Sequence, residues 1–116
     1  MNAPRLADYL EHILAAIDRI AQFTSGFEFE DFAADLRTQD AVVRNLEIIG
    51  EASHRIEINF ADFAFEHPEL PISSAYQMRN AVAHGYFEVD LEVVWRTVKK
   101  DLPPLAETVR KLILTI

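Results

Sequence analysis

Three polar side chains that lie close together in the sequence, Arg79, Asn80 and His84, are well suited to chemistry. A histidine imidazole titrates near neutrality, which makes it the usual general acid or base in proteins. The Arg79 guanidinium is a permanently charged planar fork that suits a phosphate, and Asn80 can donate or accept a hydrogen bond. Together these groups are sufficient for metal-free cleavage of RNA. In that reaction the ribose 2′-hydroxyl attacks the adjacent phosphorus, His84 moves the proton and Arg79 stabilises the phosphoryl oxygens.

The spacing of Arg79 and His84 limits what one copy of the chain can do. Five residues turn an α-helix by about 500°, so the two side chains would point about 140° apart. They could converge only at the end of a helix or across an interface. The residues alone leave a structural role open, in which Arg79 and Asn80 bond to neighbouring carbonyls or carboxylates and His84 caps the last turn of a helix, because so short a pattern is weakly specific.

The apolar residues before this segment recur at helical spacing. One long helix is predicted from about Pro4 until Thr24-Ser25-Gly26 interrupts the pattern, and a short segment over residues 28–34 has helical character. A second long helix is predicted from about Asp40. The stretch Asn59–Pro71 then fits an irregular connection with room for one helical turn.

The polar segment itself is predicted to form a short helix. Ser74 and Gln77 have the spacing of a capping box, so this helix should begin at about Ala75, and Gly85 should end it just after His84. Asp90 can cap a following helix, which Pro103-Pro104 must kink or restart. Four or five amphipathic helices joined by mostly short connections predict an all-α, up-and-down four/five-helix bundle.

Composition narrows the class of protein further. The 116 residues fit one domain over positions 1–116, and half of them are hydrophobic. The apolar runs are short and interrupted by charge, which predicts a cytoplasmic protein without a membrane span. The chain has no cysteine, which excludes disulfides and thiolate metal sites. The remaining histidines are dispersed, so neither a metal site nor a cofactor is expected.

The charge is unevenly distributed along the chain. The formal net charge is -8, which argues against broad capture of nucleic acid. Residues 96–116 nevertheless carry a net charge of +3, from the basic residues Arg96, Lys99, Lys100, Arg110 and Lys111. Either these cations form an ordinary solvated helix face, or some of them form a local nucleic-acid patch.

Residues 78–87 resemble the Arg-x-x-x-x-His-x-Tyr signature of the HepT family, a group of helical ribonucleases within the HEPN superfamily. Two further segments are similar to it: residues 40–52 resemble the long second helix of the family, and residues 89–103 resemble the segment that follows its motif. The likeness spans roughly residues 4–115. Three matches in order are far more specific than the short motif.

This resemblance implies a HEPN-like bundle that forms a homodimer, with both copies of the motif facing one cleft as a composite, metal-independent RNase site for RNA. It assigns Arg79 and His84 to catalysis and Asn80 to a supporting role. It also implies that Tyr86 accepts AMP from a partner nucleotidyltransferase, the MntA-type antitoxin, and that this modification switches the toxin off.

The sequence departs from the family at one place. Many members have a tryptophan shortly after the proline that precedes the motif helix, whereas this chain has Pro71-Ile72-Ser73. The departure concerns local packing and leaves the catalytic positions intact. An alternative function is a catalytically weak helical subunit that binds and regulates a nucleotidyltransferase through the same motif.

Overall fold

Helices form all the regular secondary structure in the part of the chain that the computed structural model describes, residues 5–72, 75 and 90–116. This confirms the predicted all-α bundle. The helices are α1 (Leu6–Phe23), α2 (Phe29–Ala33), α3 (Leu36–Asn59), α4 (Ala61–Glu66), α5 (Leu91–Arg96) and α6 (Leu102–Thr115), with a π-helical turn (Thr97–Asp101) between α5 and α6. None of the helices in these ranges is long and apolar enough to cross a membrane.

The first helix ends where the sequence predicts. The hydroxyl of Thr24 donates a hydrogen bond to the carbonyl of Ile20 at 2.8 Å, which gives a terminal carbonyl of α1 a partner. Gly26 then adopts a φ of 77°, a left-handed conformation that glycine reaches without steric cost. The chain thereby leaves α1 and enters the short helix α2, which confirms the helical character predicted for residues 28–34.

The second long helix, α3, begins four residues before the predicted start at Asp40. Its N-cap is Asp35, whose carboxylate accepts hydrogen bonds from the backbone N–H of Thr38 at 3.1 Å and from the Thr38 hydroxyl at 2.9 Å. The backbone hydrogen bond is the main reason that the pKa of Asp35 lies below its ordinary value of 3.8. The ionised cap therefore stabilises the fold at pH values above this ordinary pKa. That stabilisation is lost as the pH falls through the lowered pKa of Asp35. The sequence pattern predicted too late a start for α3 because the helix begins outside the buried apolar stripe: its first residue, Leu36, is 69% exposed.

Helices α1 and α3 pack antiparallel and form the most extensive contact in the bundle. Near the end of α1, Nε of Arg19 donates a hydrogen bond to Oδ1 of Asn45 at 2.7 Å. Near the start of α1, the ring of Tyr9 contacts the ring of Phe60, which directly follows α3. Asn45 is buried, and its amide also donates to the carbonyl of Ala41 at 2.8 Å. Because burial of an unpaired amide is costly, these bonds fix the register of the two helices.

The core lies between α1, α3 and α6 and is closed by α2 and α5. Its fully buried side chains include Leu10, Ile13, Phe32, Leu46, Ile49, Val94 and Val109. The helical spacing of these residues within α1 and α3 is what the sequence pattern predicted. The connection after α3 contains the single helical segment α4, which also agrees with the prediction.

The predicted restart at Pro103-Pro104 takes the form of a π turn. Neither proline has an N–H, so the carbonyls of Lys99 and Lys100 cannot receive the usual α-helical bonds from four residues later. The helix widens instead, and the N–H of Leu102 donates to the carbonyl of Thr97, five residues earlier. Both prolines then occupy the first turn of α6, where a missing N–H has no cost.

Two leucines of α3 offer a matched test of this core. Leu46 is 0% exposed, whereas Leu36 is 69% exposed in the same helix. Leu46→Ala should lower the free energy of unfolding by about 2–5 kcal/mol, because it removes apolar contacts and leaves a cavity. Leu36→Ala should change it by less than about 0.5 kcal/mol. Urea unfolding followed by circular dichroism measures both, and equal losses would contradict the assigned packing.

Candidate functional site

The four residues that the sequence assigns to the site, Arg79, Asn80, His84 and Tyr86, lie outside the described residues. The described chain reaches Ile72 and Ala75 on one side of this segment and continues at Asp90 on the other. The positions of these flanking residues therefore fix where both ends of the segment join the bundle.

The N-terminal end is attached to the core. Leu70, Ile72 and Ala75 are all buried in the main hydrophobic cluster. The N–H of Ala75 donates to the carbonyl of Pro71 at 2.9 Å, and both Ile72 and Ala75 have helical backbone. Helical backbone is thus present at Ile72, slightly before the predicted start at about Ala75. Because three apolar side chains hold it, this end of the segment has a fixed position on the bundle.

The C-terminal end is fixed by a helix cap, as predicted. The Asp90 carboxylate accepts hydrogen bonds from the N–H groups of Glu92 at 3.1 Å and Val93 at 3.2 Å. The N–H of Val94 donates to the Asp90 carbonyl at 3.0 Å, and the Val94 side chain is fully buried. Asp90 therefore joins the end of the candidate segment directly to a core helix.

A groove of about 440 Å³ lies beside the N-terminal attachment. The connection after α4 forms one wall and the π turn with α6 forms the other. Its lining residues include Glu69, Pro71, Lys100, Asp101, Leu105 and Thr108. The walls of this groove come from residues about thirty positions apart, so no local sequence pattern predicts it.

The charge of one wall of this groove is maintained by hydrogen bonds. The pKa of Glu69 lies below its ordinary value of 4.5, chiefly because of a hydrogen bond from its own backbone N–H and then because of one from the side chain of His67. Nδ1 of His67 lies 3.2 Å from the Glu69 carboxylate. Glu69 is therefore ionised at neutral pH, and the groove contains carboxylates as well as the ammonium group of Lys100.

The basic C-terminal part of the chain divides into two sets. On α6, Arg110 pairs with Asp18 at 3.5 Å and Lys111 pairs with Glu107 at 3.4 Å, both exposed to solvent. This set is the ordinary solvated face that the sequence analysis considered. The second set lies at the π turn, where Lys99 lies over the ring of Trp95, with its Nζ 4.7 Å from the ring centre.

A second groove, of about 250 Å³, lies between α1 and α3. Four charged side chains line it, and their charges are matched: Arg44 pairs with Glu47 at 3.7 Å and Arg55 pairs with Glu51 at 3.1 Å. Glu51 of this second pair faces the groove together with Ile48 and Ala52. The balance of charge gives the groove no net attraction for a phosphate.

Comparison with known proteins agrees with the motif. The sequence profile of the HepT-like family, described as "Ribonuclease HepT-like", matches residues 13–112 and so includes the candidate segment. A protein of Thermococcus cleftensis named "Probable ribonuclease HepT" is 50% identical over 105 residues, which cover 90% of this chain and 93% of the relative. No solved structure matches the chain.

Two more distant relatives carry provisional RNase names. One, from Caldanaerobacter subterraneus, is 35% identical over 113 residues, which cover 97% of this chain and 96% of that protein. The other, from Methanocaldococcus jannaschii, also carries the name gamma-glutamylcyclotransferase and is 38% identical over 104 residues. The match covers 90% of this chain but only 46% of that protein, so the similarity concerns about half of its length.

The cap at Asp90 can be tested by two substitutions. Asp90→Ala should lower the free energy of unfolding by about 0.5–2 kcal/mol, because the N–H groups of Glu92 and Val93 lose their acceptor. Asp90→Asn should preserve most of the stability, since asparagine caps helices about as well as aspartate. Thermal unfolding of both variants provides the measurement. If Asp90→Asn lowers the free energy of unfolding as much as Asp90→Ala does, the side chain of Asp90 does not act as a cap.

Proposed function

Because the chain belongs to the ribonuclease HepT-like family of the HEPN superfamily, we propose that it is an endoribonuclease toxin that cuts RNA without a metal ion. The observation that carries this proposal is the complete set Arg79, His84 and Tyr86, in family order, inside the matched range 13–112. The names of the relatives support the same activity.

The chemistry follows from the side chains available. His84 accepts the proton of a ribose 2′-hydroxyl, and the oxygen attacks the adjacent phosphorus. A new bond forms between O2′ and phosphorus while the bond from phosphorus to the 5′-oxygen breaks, and a protonated imidazole supplies the leaving oxygen with its proton. Arg79 stabilises the charge on the phosphoryl oxygens, and Asn80 holds the ring or the phosphate by a hydrogen bond. The products are a 2′,3′-cyclic phosphate and a 5′-hydroxyl.

The proposed active site is composite and belongs to a homodimer. On a regular helix, Arg79 and His84 would point about 140° apart, too far to act on one phosphate from one side. A second copy of the segment across a two-fold axis supplies the missing group, because a two-fold interface brings the same surface of both chains together. One imidazole can then act as base while the other acts as acid.

Tyr86 is the proposed point of control. A partner nucleotidyltransferase of the MntA type, acting as antitoxin, transfers AMP from ATP to the phenol oxygen, which forms a phosphorus–oxygen bond as pyrophosphate leaves. The modification adds bulk and negative charge two residues from His84. It therefore repels and obstructs an RNA phosphate at the same place.

His84→Ala should lower the rate of RNA cleavage by at least about 100-fold, because the variant loses its general base. His12→Ala provides the matched control, since His12 is an exposed histidine of α1 and should leave the rate unchanged. Cleavage of a fluorescent RNA by the purified protein is the readout, with EDTA present to remove metal ions. The same oligonucleotide with 2′-O-methyl riboses should resist cleavage, because the nucleophile is blocked.

Unchanged cleavage by a folded His84→Ala variant would contradict the catalytic assignment. If the native protein lacks cleavage activity altogether but still binds a nucleotidyltransferase, the alternative of a regulatory interaction subunit is supported instead. Loss of cleavage on addition of EDTA would contradict the metal-free mechanism but not the RNase activity itself.

Incubation with ATP and a cognate nucleotidyltransferase should increase the mass of the protein by one AMP group and abolish RNA cleavage. Tyr86→Phe should prevent the adduct, whereas Tyr9→Phe, which removes the hydroxyl of a half-buried tyrosine in α1, should not. Mass spectrometry of the intact protein and of its peptides measures both results. An adduct that persists in Tyr86→Phe would place the modification elsewhere.

A further inference from the structure

Three cations lie within five residues at the π turn. We call Arg96, Lys99 and Lys100 the basic turn. The carboxylates nearest to them in the sequence are those of Glu92 and Asp101. In the described part of the chain, no carboxylate forms an ion pair with any member of the basic turn. In a protein whose net charge is -8, such a cluster is a local exception.

One member of the basic turn, Lys99, is held in place by aromatic packing. Nζ of Lys99 lies 4.7 Å from the centre of the Trp95 ring, a distance at which the ammonium is attracted to the ring face. Trp95 in turn stacks on Phe32, with ring centres 5.2 Å apart, and Phe32 is fully buried. The lysine therefore loses less freedom when it binds a ligand than a freely rotating surface lysine would.

The basic turn also lies near both attachments of the candidate segment. Arg96 follows the cap residue Asp90 by less than two helical turns, a rise of about 9 Å. On the other side, Lys100 lines the same groove as Pro71, which directly precedes Ile72. The two ends of the segment that carries Arg79 and His84 thus flank this cluster.

We propose that the basic turn binds backbone phosphates of single-stranded RNA next to the bond that is cut, an inference that rests on the proposed function as an RNase. Three cations within five residues suit consecutive phosphates, which attract Lys and Arg independently of base sequence. The neighbouring carboxylates of Glu69 and Asp101 line the groove and repel phosphate from its interior. The RNA backbone therefore passes over the outer face of the turn.

The paired cations of α6 provide a matched control. Arg110 and Lys111 carry the same charge as Arg96 and Lys100 and are also exposed, but they already have carboxylate partners. The double variants R96Q/K100Q and R110Q/K111Q have equal net charge. A difference in RNA binding between them therefore reports the position of the cations and not the total charge of the protein.

The experiment measures the anisotropy of a fluorescent 2′-O-methyl RNA, which cannot be cut, over a range of salt concentrations. R96Q/K100Q should raise the Kd about tenfold at about 0.1 M salt and reduce the slope of log Kd against log salt by about 1.4, or 0.7 for each lost phosphate contact. R110Q/K111Q should change the Kd less than twofold. Lys99→Gln should weaken binding as well, whereas Lys99→Arg should retain it, because arginine keeps both the charge and the contact with Trp95.

Equal weakening by the two double variants would overturn the proposal, and so would the absence of RNA binding by the native protein. Circular dichroism verifies that the variants are folded. Because the probe has no free 2′-hydroxyl, binding and cleavage are tested independently. If the native protein cuts RNA but R96Q/K100Q binds the probe normally, the proposal is wrong and the RNase function stands. If binding requires the basic turn but the native protein cuts no RNA, the proposal stands and the RNase function is wrong.

Discussion

The antiparallel contact between α1 and α3 is the interaction on which the remaining structure depends. It contributes much of the buried apolar surface, and burial of such surface is the main favourable term in folding. Arg19 and Asn45 set its register, because a shift along the helices would leave the buried amide of Asn45 without its partner. The shorter helices α2, α4 and α5 are too short to be stable in isolation and owe their positions to this pair and to α6.

A second constraint is the pair of prolines after the π turn. Pro103 and Pro104 prevent α5 and α6 from forming one regular α-helix, because they cannot donate the hydrogen bonds that Lys99 and Lys100 would accept. The wider turn changes the direction in which residues 97–101 present their side chains. The break in the helix and the position of the basic turn therefore have the same cause, and π turns of this kind often occur at functional sites.

The described cations differ in whether a carboxylate neutralises them. Five of the ten Lys and Arg side chains in the described ranges pair with a nearby carboxylate: Arg5, Arg44, Arg55, Arg110 and Lys111. Such exposed pairs contribute little to stability, but they reduce non-specific attraction of nucleic acid. In the proposed RNase, attraction for phosphate is then strongest at the basic turn, where three cations without an ion pair among the described residues lie within five positions.

The sequence by itself determined the helical class, the end of α1 before Gly26, the cap at Asp90 and the break at Pro103-Pro104, because each depends mainly on local conformational preferences. It also identified the family through three similar segments in order, residues 40–52, 78–87 and 89–103, and this comparison requires no knowledge of contacts. It placed the start of α3 too late, since the cap at Asp35 depends on a side-chain hydrogen bond that precedes the apolar pattern.

Only the tertiary structure separated the basic residues into those with and those without an ion pair in the described part of the chain, and brought Pro71 and Lys100 to one groove. These features depend on residues far apart in sequence, and their side chains meet only after the helices have packed.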